Sequence, residues 1–358
     1  MASRQEQFSG TGEVREQHRF DERVLEAWMR EHVEGFEGPL SVEQFKGGQS
    51  NPTYRLVTPG KNYVMRRKPP GLLLKSAHAV DREYAVITAL GTTGYPVART
   101  YGLCTDETVI GTWFYIMDCV EGRIIWDSTF PDEPKEQRRA YFDAMNKGMA
   151  DLHNTDYAAI GLENFGKPGN YFERQIGRWS RQYLEDPEAG RFESMDKLVE
   201  WLPANIPAGD ETAIVHGDYR CDNMIFHPTE PTVRAVLDWE LSTLGHPLAD
   251  FTYPLLMYRM PPQDVAGLNG RDLDALGIPS EEEYVADYCR RTGRSGGIAN
   301  LDFYLAYNMF RLAGIIHGIR GRVVRGTAAS AHAVATSERL QPMADLAWQQ
   351  ALKAQGKA

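Results

Sequence analysis

The stretch that most constrains what this chain can fold into runs from Ile214 to Glu240, IVHGDYRCDNMIFHPTEPTVRAVLDWE. Two short apolar segments, Met224-Ile225-Phe226 and Val233 to Leu237, flank the turn His227-Pro228-Thr229-Glu230-Pro231 and predict a β-hairpin. A loop carrying Asp218 and Asn223 enters the first strand, and Asp238 closes the second. If the chain stays extended, Asp238 and Glu240 share one side and Trp239 takes the other. The hairpin folds its acidic end back beside the entering loop. One Asn and several carboxylates then converge, which is the oxygen-rich setting of a hard divalent cation such as Mg²⁺. A solvated surface hairpin needs no such set. An HGD or DWE triplet alone would say little; the order and spacing carry the signal.

The 358 residues suffice for one large or two modest domains with an adequate core. The net charge of −10 argues against a broad nucleic-acid surface, which needs basic side chains. Cys104, Cys119, Cys221 and Cys289 follow neither metal-ligand nor disulfide-framework spacing, so a reducing compartment is the simple reading. No basic-then-apolar leader opens the sequence. The most apolar late stretch, Phe303 to Ile319, is interrupted by Asn308, Arg311 and His317 and reads as a buried helix rather than a membrane span. A soluble cytoplasmic protein is expected.

Residues 1–20 are polar and expected to be a mobile tail. Phe20 to Val33 has helical spacing. Phe45 to Leu56 predicts strand, turn and strand. In Gly47-Gly48-Gln49-Ser50-Asn51 the missing Cβ atoms would let backbone N–H groups approach phosphates, although such a loop is usually just a hairpin. Tyr63 to Arg67 alternates into a strand ending in Arg66-Arg67-Lys68. Glu83 falls seventeen residues after Arg66, on a helix begun by Ser76. Val97 to Leu103 and Trp113 to Met117 complete an expected five-stranded antiparallel sheet. Tyr141, Phe142, Met145, Met149 and Leu152 recur at helical spacing over Lys135 to His153, and the methionines read as packing. Tyr171 to Tyr183 and Tyr253 to Met260 predict further helices. Residues 261–300 are turn-rich and acidic, an expected excursion near the substrate cleft.

His216-Gly217-Asp218 with Asn223, then Asp238-Trp239-Glu240, resembles the signature of the aminoglycoside phosphotransferase and choline kinase group. The stretches GGQSNPTY, YVMRRKPPG, SAHAVDREY and STLGHPLADF are most similar to the kinase-like domains found with acyl-CoA dehydrogenase family members ten and eleven. The resemblance runs from about Phe45 to Phe310. It implies a bilobal, protein-kinase-like α+β fold, with a small antiparallel sheet lobe over 21–118 and a mainly helical lobe over 119–358. ATP and Mg²⁺ are the implied cofactors. Asp218 would orient the proton of an attacking hydroxyl, and Asn223 and Asp238 would hold Mg²⁺. Arg220 would steady the transferring phosphoryl group. Glu240 is either an outer ligand of the metal or a solvent-facing strand residue. Gly48, Ser50 and Asn51 belong to the phosphate-side turn. Arg66 takes the place of the usual strand lysine, with Glu83 as its partner and Lys68 as the competing cation. Met117, Asp118 and Val120 fall in the linker, where backbone groups would meet the adenine edge. Asp250 would brace the catalytic loop, and His216 would pack beneath it.

Arg311, Arg322 and Arg325 share a helical face, with Gly314 and Gly318 between them and Arg320 nearby. A basic groove there would admit an anionic acceptor, while a solvated arginine face is the plainer alternative. Relatives in the resembling group phosphorylate hydroxyacyl-CoA esters. A small-molecule hydroxyl substrate, with a CoA ester as one candidate, is therefore expected ahead of an aminoglycoside or choline. Partners from nucleic acid or membrane are not expected, and the oligomeric state is open. Two rivals stand beside the kinase reading. A nucleotide-binding pseudokinase would draw on the arginine at 66. A metal phosphoesterase would need a histidine cluster, whereas His78, His153, His246 and His317 are scattered. A protein kinase lacks support, since DFG and APE marks are missing.

Overall fold

The structure is a computed structural model and describes residues 10–46, 51–69, 78–262, 267–328 and 332–357. Six antiparallel strands form the first lobe: β1 (Thr11–Gly12), β2 (Ser41–Phe45), β3 (Thr53–Val57), β4 (Asn62–Arg67), β5 (Thr100–Cys104) and β6 (Phe114–Asp118). Their order is β1-β2-β3-β4-β6-β5. The sheet thus has one strand more than expected. Two residues of the N-terminal segment pair with Phe45 and Gln44, and Val14 and Phe20 pack nearby.

Central strand β4 explains how both faces are used. Tyr63 and Met65 join the core under helix α1 (Glu22–His32), beside Leu25 and Met29. Val64 faces the opposite way, toward helix α2 (Val80–Gly91), and period-2 alternation puts Arg66 on that same side. Register pairs Arg66 with Tyr115 of β6. Ser76 and the Gly48–Ser50 part of the turn lie outside the described residues.

The second lobe is built on helices α3 (Lys135–Asn154), α4 (Tyr171–Leu184), α5 (Glu193–Ala204), α6 (Pro247–Arg259), α7 (Glu281–Arg291), α8 (Leu301–Val324) and α9 (Leu340–Ala354). Met145 and Met149 are buried, as their spacing predicts. Two helices depart from expectation. Helix α6 starts at Pro247, six residues before Tyr253, and runs through Pro254. The region that reads as turn-rich holds α7, whose Ser280 and Glu283 form a reciprocal capping box.

Two short ribbons frame the loop region. Strands β7 (Ala213–Val215) and β10 (Thr243–Gly245) pair antiparallel, and β8 (Met224–Phe226) pairs with β9 (Val233–Val236) as the expected hairpin. The segment leaving β6 joins the hairpin where Arg123 and Phe226 exchange backbone hydrogen bonds of 2.9 and 2.8 Å. Gly122 makes this approach possible, because a Cβ there would lie 2.2 Å from the Phe226 carbonyl oxygen. Among the described residues, no helix is long and apolar enough to cross a membrane.

Candidate active site

Ribbon β7–β10 brings the loop 216–223 against 238–242, and Asp250 in the first turn of α6 fixes its start. The Asp250 carboxylate accepts from the backbone N–H of His216 at 2.6 Å and of Gly217 at 2.8 Å, and His153 Nε2 lies 3.3 Å away. Burial works to raise this carboxyl, but hydrogen bonds and charge from His153 and His216 outweigh it and hold it below its ordinary value. Gly217 has φ +85°, and a Cβ would crowd Leu241 at 2.9 Å. His216 is fully buried. Its Nδ1 accepts from Asp218 N at 3.2 Å and its Nε2 donates to Leu237 O at 2.8 Å, so it is a strut beneath the loop.

Asn223 Nδ2 donates to the backbone oxygen of Asp218 at 2.9 Å and to its Oδ2 at 3.0 Å. The amide nitrogen is thereby committed, and the carbonyl oxygen is the atom left to face a cation. Leu237 N donates to Asn223 O at 2.8 Å, which ties this loop to the residue preceding Asp238. Asp238 does not continue the strand. It adopts φ 63°, ψ 64°, and Trp239–Leu241 form a 3-10 turn anchored by the buried Trp239 ring. The expected strand alternation of Asp238 and Glu240 is therefore replaced by a kink, and both carboxylates still reach one guanidinium. Arg66 Nη2 is 2.6 Å from Asp238 Oδ1 and 3.5 Å from Glu240 Oε2. Glu240 is accordingly part of the cluster rather than a solvent-facing side chain.

On its inner side Arg66 Nε lies 2.9 Å from Glu83 Oε2, and Glu83 also accepts from Asn51 Nδ2 at 2.7 Å and Tyr115 OH at 3.2 Å. Lys68, the competitor, instead sets its ammonium 3.8 Å over the Trp113 ring. Burial raises Glu83 to about 7; Arg66 opposes this, while Asp238 and Glu240 reinforce it.

Three sequence expectations change, while Gly48 and Ser50 lie outside the described residues. Asn51, expected to face phosphates, commits its side chain to Glu83 and His78 instead. Asp118 N–H is committed to Arg99 O at 2.8 Å and its carboxylate to Tyr101 and Lys61, so this linker residue does not offer the adenine edge a donor. Met117 is buried toward α2, and Val120 is half-buried at the linker's end. The basic groove is the third. Arg311 donates to Gly217 O at 2.8 Å, Arg320 to Ala189 O at 2.9 Å, and Arg325 pairs with Asp186. Gly314 and Gly318 face Trp179 and Gln182 of α4, so these small residues serve helix packing.

Arg220 pairs with Asp222 through Nε at 2.9 Å and through Nη2. Beside that pair opens a mainly apolar cavity of about 150 Å³, lined among others by Trp126, Met145, Leu256, Met257 and Met260. Tyr253 borders both the cavity and Asp218; burial first, and then the Asp218 charge, push its phenol up to about 12. Sequence reasoning missed Tyr115, His78 and Tyr253. Tyr115 alone left a signal, the strand register that sets it beside Arg66. Each of the scattered histidines is engaged locally, His78 on Asn51, His153 on Asp250, His246 capping α6 and His317 on Gly190 O.

A sheet lobe and a helical lobe, with an acidic loop and hairpin facing an Arg–Glu pair between them, define the kinase-like phosphotransferases. The chain belongs to the phosphotransferase enzyme family, whose family model matches residues 41–304. A putative aminoglycoside phosphotransferase from Ralstonia eutropha is 54% identical and superposes with a TM-score of 0.87 over 94% of this chain and 99% of that one. Acyl-CoA dehydrogenase family member 11 of Gallus gallus is 44% identical over 94% of this chain and 44% of its own length. The chain thus spans less than half the length of such relatives. A thermostable mutant of an aminoglycoside phosphotransferase, solved with AMP-PNP and hygromycin B, shares the fold at 14% identity and a TM-score of 0.59, over 91% of this chain and 98% of that one.

Proposed function

We propose that this chain transfers the γ-phosphoryl group of ATP to the hydroxyl of an acceptor with an apolar body, of the hydroxyacyl-thioester kind. The observation that carries the reading is the Asp218–Asn223 pair, tied by the Leu237 N–H to Asn223 O bond to the turn where Asp238 and Glu240 face Arg66. Phosphoryl transfer asks chiefly for position and charge compensation. Asp218 is the group that accepts or orients the acceptor's hydroxyl proton. Asn223 holds that carboxylate by its amide nitrogen and so sets its rotation. Arg66 carries positive charge to the nucleotide's phosphates, and Val120 would meet the adenine edge at the linker. Arg220 extends from the same loop as Asp218 and would steady the moving phosphoryl group.

The donor set fits Mg²⁺: hard oxygen atoms from Asn223 and Asp238, with Glu240 alongside. Bound there, the ion would supply neutralisation of phosphate charge. In this structure Arg66 supplies that compensation for Asp238.

The acceptor reading draws on the cavity beside Arg220. Its walls are mostly apolar, and the acid lining it, Asp222, is already paired. A polycationic aminosugar would gain little there, whereas an acyl chain would bury apolar surface. Relatives named for acyl-CoA dehydrogenases point the same way. ATP consumption should be measured side by side with 4-hydroxyacyl-CoA, kanamycin and choline. Turnover with the thioester ahead of the other two is expected. Preference for kanamycin or choline would overturn the acceptor assignment.

A further inference from the structure

Asn51 stands two residues before β3, where the sequence suggests a phosphate-side role, yet its side chain turns inward and is fully buried. Its Nδ2 donates to Glu83 Oε1 at 2.7 Å, and its Oδ1 is 2.9 Å from His78 Nδ1. These neighbours fix the amide's orientation. Glu83 Oε1 accepts from the amide nitrogen, and the amide oxygen then accepts the hydrogen bond of His78 Nδ1–H. The other oxygen of Glu83 takes Tyr115 OH and the charge of Arg66 Nε.

We infer that Asn51 is a positioning residue for Arg66, acting through Glu83. It holds the carboxylate in the rotation that keeps Oε2 on the guanidinium Nε, and this leaves Arg66 Nη2 aimed at Asp238 and the cleft. A carboxylate this deeply buried needs donors on both oxygens. Without Asn51, Oε1 would turn to compete for Tyr115 or Arg66, and the guanidinium would lose its fixed direction. Asn also suits the place because Asp would set a second acid against Glu83, and Ser would fall short of bridging to His78. His78 stands two residues before α2, so one amide joins the approaches to the strand and the helix that flank Arg66.

The inference rests on the nucleotide-binding reading above. Its test is a double-mutant cycle: Mg·ADP affinity measured by calorimetry for the wild type, Asn51→Ala, Glu83→Gln and the pair, with thermal unfolding recorded for each. Loss of a hydrogen bond to a charged group should weaken binding about tenfold in Asn51→Ala. In the Glu83→Gln background the same change should cost less than about twofold, because the partner it acts through is already altered. Asn51→Ser, a neutral side chain too short to bridge Glu83 and His78, replaces Asn51→Ala if the latter does not fold, under the same criterion. Wild-type affinity in the Asn51 variant, or an equal loss in both backgrounds, overturns the inference. A wild-type chain that fails to bind Mg·ADP overturns the nucleotide reading and the inference with it.

Discussion

At the scale of single residues, the site turns on how many carboxylates one guanidinium can hold. Arg66 is nearly buried and reaches Glu83 by Nε and Asp238 and Glu240 by Nη2. A lysine ammonium is a single point and could not separate these contacts onto different nitrogens. Glu83 bears the cost of the crowding: burial lifts it to about 7, from an ordinary value of 4.5. Between those values the folded chain binds more protons here than the unfolded chain does. This group's contribution to stability is therefore full below the ordinary value and is lost as pH rises through about 7. Urea unfolding of wild type and Glu83→Gln, compared from about pH 5 to 8, should show the wild type losing ground as pH rises. A difference that stays constant across that range would contradict it. Asp218, Asn223 and Asp238 were legible because they lie within one local stretch whose spacing fixes their convergence. Asn51 was legible as a candidate but not in its role, since its bond to Glu83 spans thirty-two positions and depends on how α2 seats against the sheet.

Among elements, α6 has the most consequence because its first turn carries Asp250. His246 caps it, accepting from Leu248 N at 3.2 Å through Nδ1, which requires a neutral ring. Burial first, with Arg294 and His153 adding to it, pushes His246 down to about 4 against the pull of Glu211 and Asp210. Here the sign is reversed: the unfolded chain binds the extra proton, so stability is present above the ordinary value of 6.5 and is lost as pH falls toward 4. His246→Asn keeps a capping side chain that cannot be protonated. Thermal unfolding followed from about pH 7 to 4 should fall less steeply in that variant; identical acid limbs would count against the cap. In the sequence Gly245 and Pro247 suit a tight turn before a helix. Pro254 disguised the helix's true start, because proline usually interrupts one, yet here it only removes the N–H that Asp250's carbonyl would receive. In α7 the Ser280–Glu283 capping signature was present in the sequence, but sparse apolar residues made the stretch read as loop.

For the whole molecule, the order of motifs sufficed for two lobes, whereas the fit between them was not readable. Arg82 on α2 donates to Phe165 O at 2.6 Å and lies over the Phe165 ring, and Val236 N donates to Pro96 O at 2.8 Å. The first joins the helix bearing Glu83, and the second the segment before β5, to the lobe bearing Asp218. The expected basic groove failed for a reason of the same scale: periodicity placed the arginines on one face but could not show that α4 and Asp186 already occupy it. The central claim is that Asp218 acts in transfer while Arg66 and Asp238 serve the bound nucleotide. The most direct measurement compares wild type and Asp218→Asn for Mg·ATP binding by calorimetry and for phosphoryl transfer to a hydroxyacyl thioester in the same preparation. Unchanged binding with transfer reduced at least about a hundredfold is the expected result. Turnover near that of the wild type in Asp218→Asn would contradict it.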